Sequence, residues 1–101
     1  MKSGIERITA ERERQISVEG WTPAGDDQHS KGQLSDASAC YAIAAGELAN
    51  GYLNPPLPSL WPWDMKWWKP GDDPIRCLEK AGALAAAEID RLERLRAKHS
   101  A

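Results

Sequence analysis

The chain has 101 residues and a mass of 11.1 kDa, which excludes two independent cores, because a domain of this size buries only about 60–65% of its unfolded surface. Hydrophobic residues make up 42% of the chain and charged residues 28%, a composition typical of a globular protein rather than a disordered one. No apolar run approaches the roughly 18 residues that a membrane span requires. The net charge of −2 and the pI of about 5.6 disfavour a general affinity for nucleic acid or for an anionic membrane.

A capping box opens the first predicted helix, which runs from about residue 4 to 19. Ser3 and Glu6 have the spacing at which each side chain satisfies a free N–H group of the other residue's backbone. Gly20 is expected to end the helix. The apolar stripe, with Gln15 beside it and a charged face opposite, consists of Ile5, Ile8, Arg12 and Ile16.

Residues 20–32 are rich in glycine and polar side chains and are predicted to form a loop. Asp26, Asp27 and His29 lie close together in it, next to Trp21, which we expect to be structural. Two carboxylates and an imidazole suit a divalent cation or acid–base chemistry. Alternatively, they bond nearby backbone N–H groups and set the start of the next helix.

The second predicted helix covers about residues 33–49 and ends at Asn50-Gly51. Its apolar positions recur at the three- and four-residue spacing of a helix face. Cys40 and Ala44 widen a stripe that consists of Leu34, Ala37, Tyr41, Ala45 and Leu48.

A long connector over residues 51–72 contains five prolines, which lack the backbone N–H that helices and strands use. A connector of this length is usually functional. It contains four of the five tryptophans, between Trp61 and Trp68. A short helical turn around residues 62–67, with Pro62 in its first position, fits the pattern.

Asp73 as N-cap and Pro74 in the first turn open the third predicted helix, about residues 74–97. A glycine inside a helix, such as Gly82, lowers helix stability by about 1 kcal/mol relative to alanine. We therefore expect a close neighbour that leaves no room for a side chain at this position: the second helix, a partner helix or a ligand. Its last turns are expected to project or to pack on another chain. The apolar stripe consists of Ile75, Leu78, Gly82, Ala85, Ile89 and Leu92, with Leu84, Glu88 and Leu95 beside it.

The two cysteines, Cys40 and Cys77, lack the spacing of a metal site, which disfavours zinc. We expect free thiols in a reducing, cytoplasmic setting, because the first residues contain no apolar segment of the secretory kind.

The tryptophans between Trp61 and Trp68 allow two interpretations. Their rings stack on bases and cations, and Lys66, Lys69 and Arg76, with the start of the third helix, could meet an anion. Alternatively, they fill the core between thin, alanine-rich helices. Because Trp67 and Trp68 are adjacent, one of them is expected to be exposed at the binding surface.

Eight short segments of the chain form a joint pattern: ERERQI (11–16), EGWTP (19–23), DDQH (26–29), ACYA (39–42), WPW (61–63), WWKP (67–70), KAGAL (80–84) and AEIDRL (87–92). This pattern resembles a family of small proteins of tailed phages and prophages, over about residues 6–95. The resemblance implies a phage context and no particular chemistry. The Glu-Gly-Trp stretch followed by Asp and His is also locally similar to the repeat domain of ryanodine receptors.

The predicted fold is all-α: a single domain over residues 1–101, with three helices and a Pro- and Trp-rich connector packed over them. The predicted function is non-enzymatic binding of a nucleotide-like small molecule, as in a phage sponge that counters host defence signalling. The alternatives are an adaptor for a host or phage protein and a metal-dependent nucleotide hydrolase that uses Asp26, Asp27 and His29. We expect a homo-oligomer without cofactor or bound metal. The candidate ligand-binding residues are Trp61, Trp63, Trp67, Trp68, Lys69, Arg76, Asp26, Asp27, His29 and Tyr41.

Overall fold

The chain forms α-helices joined by loops, as predicted. The computed structural model describes residues 1–100, and this range contains no β-strand. The three long helices coincide with the predicted ones to within two residues at each end. The elements are α1 (Gly4–Ser17), α2 (Pro23–Asp27), α3 (Gln33–Ala49), a 3₁₀ turn (Met65–Trp67) and α4 (Pro74–His99).

Local capping explains where α1 and α4 begin and end. The predicted capping box is present, with both Ser3–Glu6 hydrogen bonds at 3.2 Å. Gly20 has a φ of 74°, a conformation that favours glycine, and lets the chain turn away two residues after the Val18 cap. Asp73 caps α4 by accepting a hydrogen bond from the amide of Ile75 at 2.9 Å.

Two short elements differ from the prediction. Residues 23–27 form α2 instead of loop, because Thr22 Oγ1 caps the amide of Gly25 at 3.0 Å and Pro23 occupies the first turn. In the connector, the turn begins at Met65 rather than at Pro62, because Asp64 accepts a hydrogen bond from the amide of Lys66 at 2.9 Å.

The core lies between α3 and α4 and consists mainly of small residues. The predicted stripe of α3 is confirmed: Leu34, Ala37, Tyr41 and Ala45 are buried, with Leu48 packed at the edge. They meet the buried residues Cys77, Ala81, Leu84 and Ala87 of α4.

Both cysteines are free and fully buried, as expected. Burial raises the pKa of the Cys40 and Cys77 thiols, which keeps them protonated and unreactive.

The helix α1 turns a polar face inward, contrary to its apolar stripe. Ile5 is 80% exposed and Ile16 51%, whereas Glu11 and Gln15 are each only 3% exposed. The reason is ionic: Glu11 pairs with Arg76 of α4 across the interface. The contact between α1 and α4 therefore depends on charged groups more than on isoleucines.

Gly82 marks a close approach of α4 to α1, rather than to α3, a partner helix or a ligand. A Cβ atom added there would lie 2.5 Å from Cδ1 of Ile8 and 2.6 Å from its Cγ1. The glycine is thus required by the packing of Ile8.

The rest of the predicted α4 stripe faces outward. The exposed residues of this stripe, here named the outer α4 ridge, are Ile75, Leu78, Ile89 and Leu92. Glu88 of the neighbouring stripe is instead buried, where it receives two hydrogen bonds from Arg91 at 2.6 and 3.2 Å.

Within residues 1–100, the helices are each too short or too polar to cross a membrane.

We predict that Gly82→Ala lowers the free energy of unfolding by up to about 2 kcal/mol, since an overpacking cost of about 1–3 kcal/mol at Ile8 outweighs the gain of about 1 kcal/mol in helix propensity. Gly46→Ala in α3 is the matched control, because nothing lies within 4 Å of its added Cβ, and it should stabilise the protein. Urea denaturation of both variants tests this. The variant Ile8→Ala/Gly82→Ala should be less destabilised than the sum of its two single changes; strict additivity would refute the contact.

We further predict that the protein is a homo-oligomer, because the outer α4 ridge leaves four large apolar side chains in water. Sedimentation at micromolar concentration should show more than one chain, and Ile89→Lys should shift the equilibrium toward the monomer. A wild-type protein that sediments as a monomer would contradict this.

Candidate functional site

A cleft of about 940 Å³ opens between the C-terminal half of α1, α2, α3, the connector and α4. Its volume lies in the range of small-molecule sites. Apolar walls come from Trp21, Leu34, Trp61, Trp63 and Leu84. Of the candidate ligand-binding residues, those that line the cleft are Asp26, His29, Tyr41, Trp61, Trp63, Trp67, Lys69 and Arg76.

Four rings that pack on one another are here named the aromatic cluster, and three of them line the cleft: Tyr41, Trp61 and Trp63, with Trp68 behind them. Trp61 is central, with its ring centroid 5.0 Å from Trp68, 5.5 Å from Trp63 and 5.6 Å from Tyr41. The three tryptophans are half-buried and pack against the α3–α4 core. The cluster therefore packs on the core, and three of its rings also line the cleft, so the binding interpretation stays a prediction beside the core interpretation.

The connector tryptophans also anchor their own backbone. Trp61 Nε1 donates to the carbonyl of Asp64 at 3.2 Å, and Trp68 Nε1 donates to the carbonyl of Pro55 at 3.4 Å. These bonds hold the connector's own backbone together, and the packing of its tryptophans on the α3–α4 core places the connector over the helices, as predicted.

Trp67 and Trp68 point in different directions, as expected for adjacent residues. Trp67 lines the cleft and is 58% exposed, with Nζ of Lys66 5.3 Å from its ring centroid. Trp68 is not among the lining residues and packs on Tyr41 at 4.9 Å. Trp67 is thus the accessible ring of the pair.

A buried ion pair forms the α1 side of the cleft. Oε1 of Glu11 accepts hydrogen bonds from Nη1 of Arg76 at 2.6 Å and Nε of Arg14 at 2.8 Å. Burial alone would raise the pKa of Glu11, but the hydrogen bonds from Arg14 and Arg76 outweigh it and hold that pKa below its ordinary value. Arg14 also pairs with Glu19 at 2.9 Å, and Arg76 with Glu79 at 3.2 Å.

Arg76 is therefore not the free cation that the sequence suggested. Its guanidinium is held between Glu11 and Glu79, and Asp73 already occupies the amide of Ile75 at the start of α4. An anion at this helix terminus would have to compete with these three carboxylates, and the predicted anion site stays a prediction.

Lys80 is the cleft cation that sequence reasoning missed. Its Nζ donates to the carbonyl of Lys69 at 2.7 Å and lies 5.3 Å from the ring centroid of Tyr41. No carboxylate among residues 1–100 lies within 4.0 Å of Lys80. Burial lowers the pKa of the Lys80 ammonium, and the charge of Arg76 lowers it further. The four-residue spacing of Arg76, Lys80 and Leu84 would have placed Lys80 on the same face as Arg76.

The residues Asp26, Asp27 and His29 diverge instead of converging. Asp26 is buried and bonds to Arg12 at 3.2 Å, whereas Asp27 bonds to Arg94 at 2.8 Å. The hydrogen bond from Arg94 lowers the pKa of Asp27.

His29 packs against Trp63 with a centroid distance of 5.1 Å. Across residues 1–100, no group of three or more His, Cys, Asp or Glu side chains is arranged to hold a metal ion. The two aspartates join α2 to α1 and α4 rather than cap α3.

Gln15 is a further lining residue that the sequence did not mark as functional. It is nearly fully buried, and its Oε1 accepts no hydrogen bond from residues 1–100. Its backbone carbonyl accepts from the amide of Trp21 at 3.0 Å.

No protein-family model, curated protein or solved structure matches this chain. The relation to phage proteins stays a prediction from the resemblance alone.

We predict that Glu11→Gln lowers the free energy of unfolding by about 3 kcal/mol at neutral pH, the lower end for a broken buried ion pair, since Arg14 and Arg76 stay partly exposed. The Glu11 carboxylate stabilises the fold fully above its ordinary pKa of 4.5, and this contribution is lost as the pH falls through the lower pKa of the folded state. The difference between wild type and variant should therefore shrink below about pH 4.5.

Chemical denaturation from neutral pH to about pH 3 tests this. The control is Glu93→Gln, whose carboxylate pairs with Arg96 on the exposed surface and should contribute little. A stability difference for Glu11→Gln that stays constant over this range would contradict the assignment.

Proposed function

We propose that the protein binds a nucleotide-like small molecule, one that combines a planar aromatic ring with an anionic group, without transforming it. The observation that carries this proposal is Lys80: a cation without a carboxylate partner, held against the aromatic cluster inside a large cleft. A half-buried ammonium group without a counter-ion is unfavourable. The position of Lys80 therefore favours a ligand that carries a negative charge.

The ring of such a ligand has stacking surfaces in the same cleft. Trp67 is exposed and therefore free to stack, while Trp61 and Trp63 present half-buried edges. Aromatic stacking contributes about 1–3 kcal/mol per base. Stacking and charge together match the chemistry of a nucleotide better than either would alone.

The ionised groups of the cleft support binding rather than reaction. Glu11, Arg14 and Arg76 are bound to one another, and Asp26 is bound to Arg12. The ion pairs hold the pKa of Glu11 below its ordinary value and those of Arg14 and Arg76 above theirs, far from neutrality, so these three groups are poor general acids or bases. In the phage context that the resemblance implies, the proposed use is sequestration of a nucleotide signal of host defence.

A second candidate function, an adaptor for a host or phage protein, is favoured by apolar side chains exposed outside the cleft. They belong to the outer α4 ridge and to the connector, where they are Leu57, Leu60 and Met65.

Calorimetry against a panel of cyclic and linear nucleotides tests the proposal. One member should bind with a Kd of about 1 μM or tighter. Lys80→Met should weaken this binding by about tenfold or more, as expected for a lost charged hydrogen bond. Lys98→Met, in the exposed last turn of α4, is the matched control and should leave it unchanged.

Trp67→Ala should likewise weaken binding, by about fivefold or more, with little effect on stability because the ring is largely exposed. Tyr52→Ala is its control, since Tyr52 is exposed and outside the cleft. Absence of binding by every nucleotide, together with co-purification of one partner protein that Ile89→Lys abolishes, would favour the adaptor.

A further inference from the structure

We infer that Gln15 accepts a hydrogen bond from the ring of the bound molecule. The cleft would therefore select a base with an exocyclic amino group, of which adenine is the representative. This inference rests on the proposed function and names the ligand class for the same cleft. The observation behind it is the side-chain oxygen of Gln15, a buried acceptor without a donor.

Gln15 is held in place by its own backbone and its neighbours. It is 3% exposed, lies on the last full turn of α1 and lines the cleft. The hydrogen bond from the Trp21 amide to its carbonyl places it beside one of the aromatic walls. Buried side-chain oxygens in folded proteins nearly always have a partner, so an orphan in a cleft points to a donor that arrives with a ligand.

The arginines that line the cleft beside Gln15 are already bound, whereas Arg12, which has two unbonded N–H groups, does not line the cleft. Arg14 donates to Glu11 and Glu19, and Arg76 donates to Glu11 and Glu79. Lys80 donates to the carbonyl of Lys69. The two arginines on this side of the cleft are thus neutralised by carboxylates, while the side-chain oxygen of Gln15 has no donor.

A planar amine is the donor that fits this acceptor. Side-chain amides pair with the amino edge of adenine through their carbonyl oxygen. The terminal torsion of glutamine is soft, so a small rotation turns Oε1 toward a ring that lies against Trp21. An anionic group on the same ligand would then be available to Lys80, which lines the same cleft.

The experiment compares adenosine 5′-monophosphate with purine riboside 5′-monophosphate, which differs only by the missing amino group. Calorimetry on the full chain should show at least about tenfold tighter binding of the adenine nucleotide, as expected when a buried acceptor loses its only donor. Gln15→Met should abolish this preference. Gln28→Met, an exposed glutamine that also lines the cleft, is the matched control and should retain it.

The outcomes separate this inference from the proposed function. Equal binding of both nucleotides to the wild type would overturn the role of Gln15 and leave nucleotide binding intact. Tight binding of another nucleotide without an amino group would do the same. Absence of binding by any nucleotide would overturn the proposed function and this inference together.

A measurement without ligand gives an independent answer. If Oε1 of Gln15 has no partner, Gln15→Met removes an unsatisfied acceptor at nearly constant volume, so its thermal midpoint should equal or exceed that of the wild type. A clear fall in the midpoint would mean that the amide is bonded within the protein, which would overturn the inference.

Discussion

The buried carboxylate of Glu11, held between Arg14 and Arg76, is the interaction on which the arrangement of α1 depends. The α3–α4 core consists mainly of alanine and cysteine and gives α1 little apolar surface to cover. An ion pair with an N–O distance of 2.6 Å fixes α1 to α4 instead, and Ile8 settles against Gly82 beside it. Removing one partner of such a pair leaves a charge buried without compensation, which is costly.

The same interaction decides which cation remains for a ligand. Because Arg14 and Arg76 neutralise Glu11, Glu19 and Glu79, their charge is not available in the cleft. Lys80, one turn beyond Arg76 on α4, faces Tyr41 and a backbone carbonyl instead of a carboxylate. A structural ion pair thereby leaves Lys80 as the residue proposed to meet the negative charge of a ligand.

The aromatic cluster links stability and binding in another way. Thin, alanine-rich helices leave space that large rings must fill, and Trp61 and Trp63 fill it from the connector while facing the cleft. The exposed Trp67, in contrast, contributes little to the core and is free for function. On α4, helical periodicity places the outer ridge on the side opposite to Arg76, Lys80 and Leu84, so the proposed self-association and the proposed ligand binding would use different surfaces.

The sequence by itself determined those features that depend on neighbouring residues. Ser3 with Glu6 and Asp73 with Pro74 predicted the starts of two helices, and the spacing from Leu34 to Leu48 predicted the buried face of α3. Thr22-Pro23 also signals a helix start, but the surrounding glycines obscured it. Such signals are local, because caps and propensities act within one or two turns.

The tertiary structure alone decided the partners of the charged residues. Glu11 and Arg76 are 65 residues apart in the chain, and Asp27 and Arg94 are 67 apart. Neither pairing has a local signature, although the first turns a polar face of α1 inward and the second removes an aspartate from the predicted site. Which carboxylate neutralises which cation depends on how the helices meet in space, and so only the folded chain shows that Lys80 has a carbonyl but no carboxylate as its partner and that the side-chain oxygen of Gln15 has no donor.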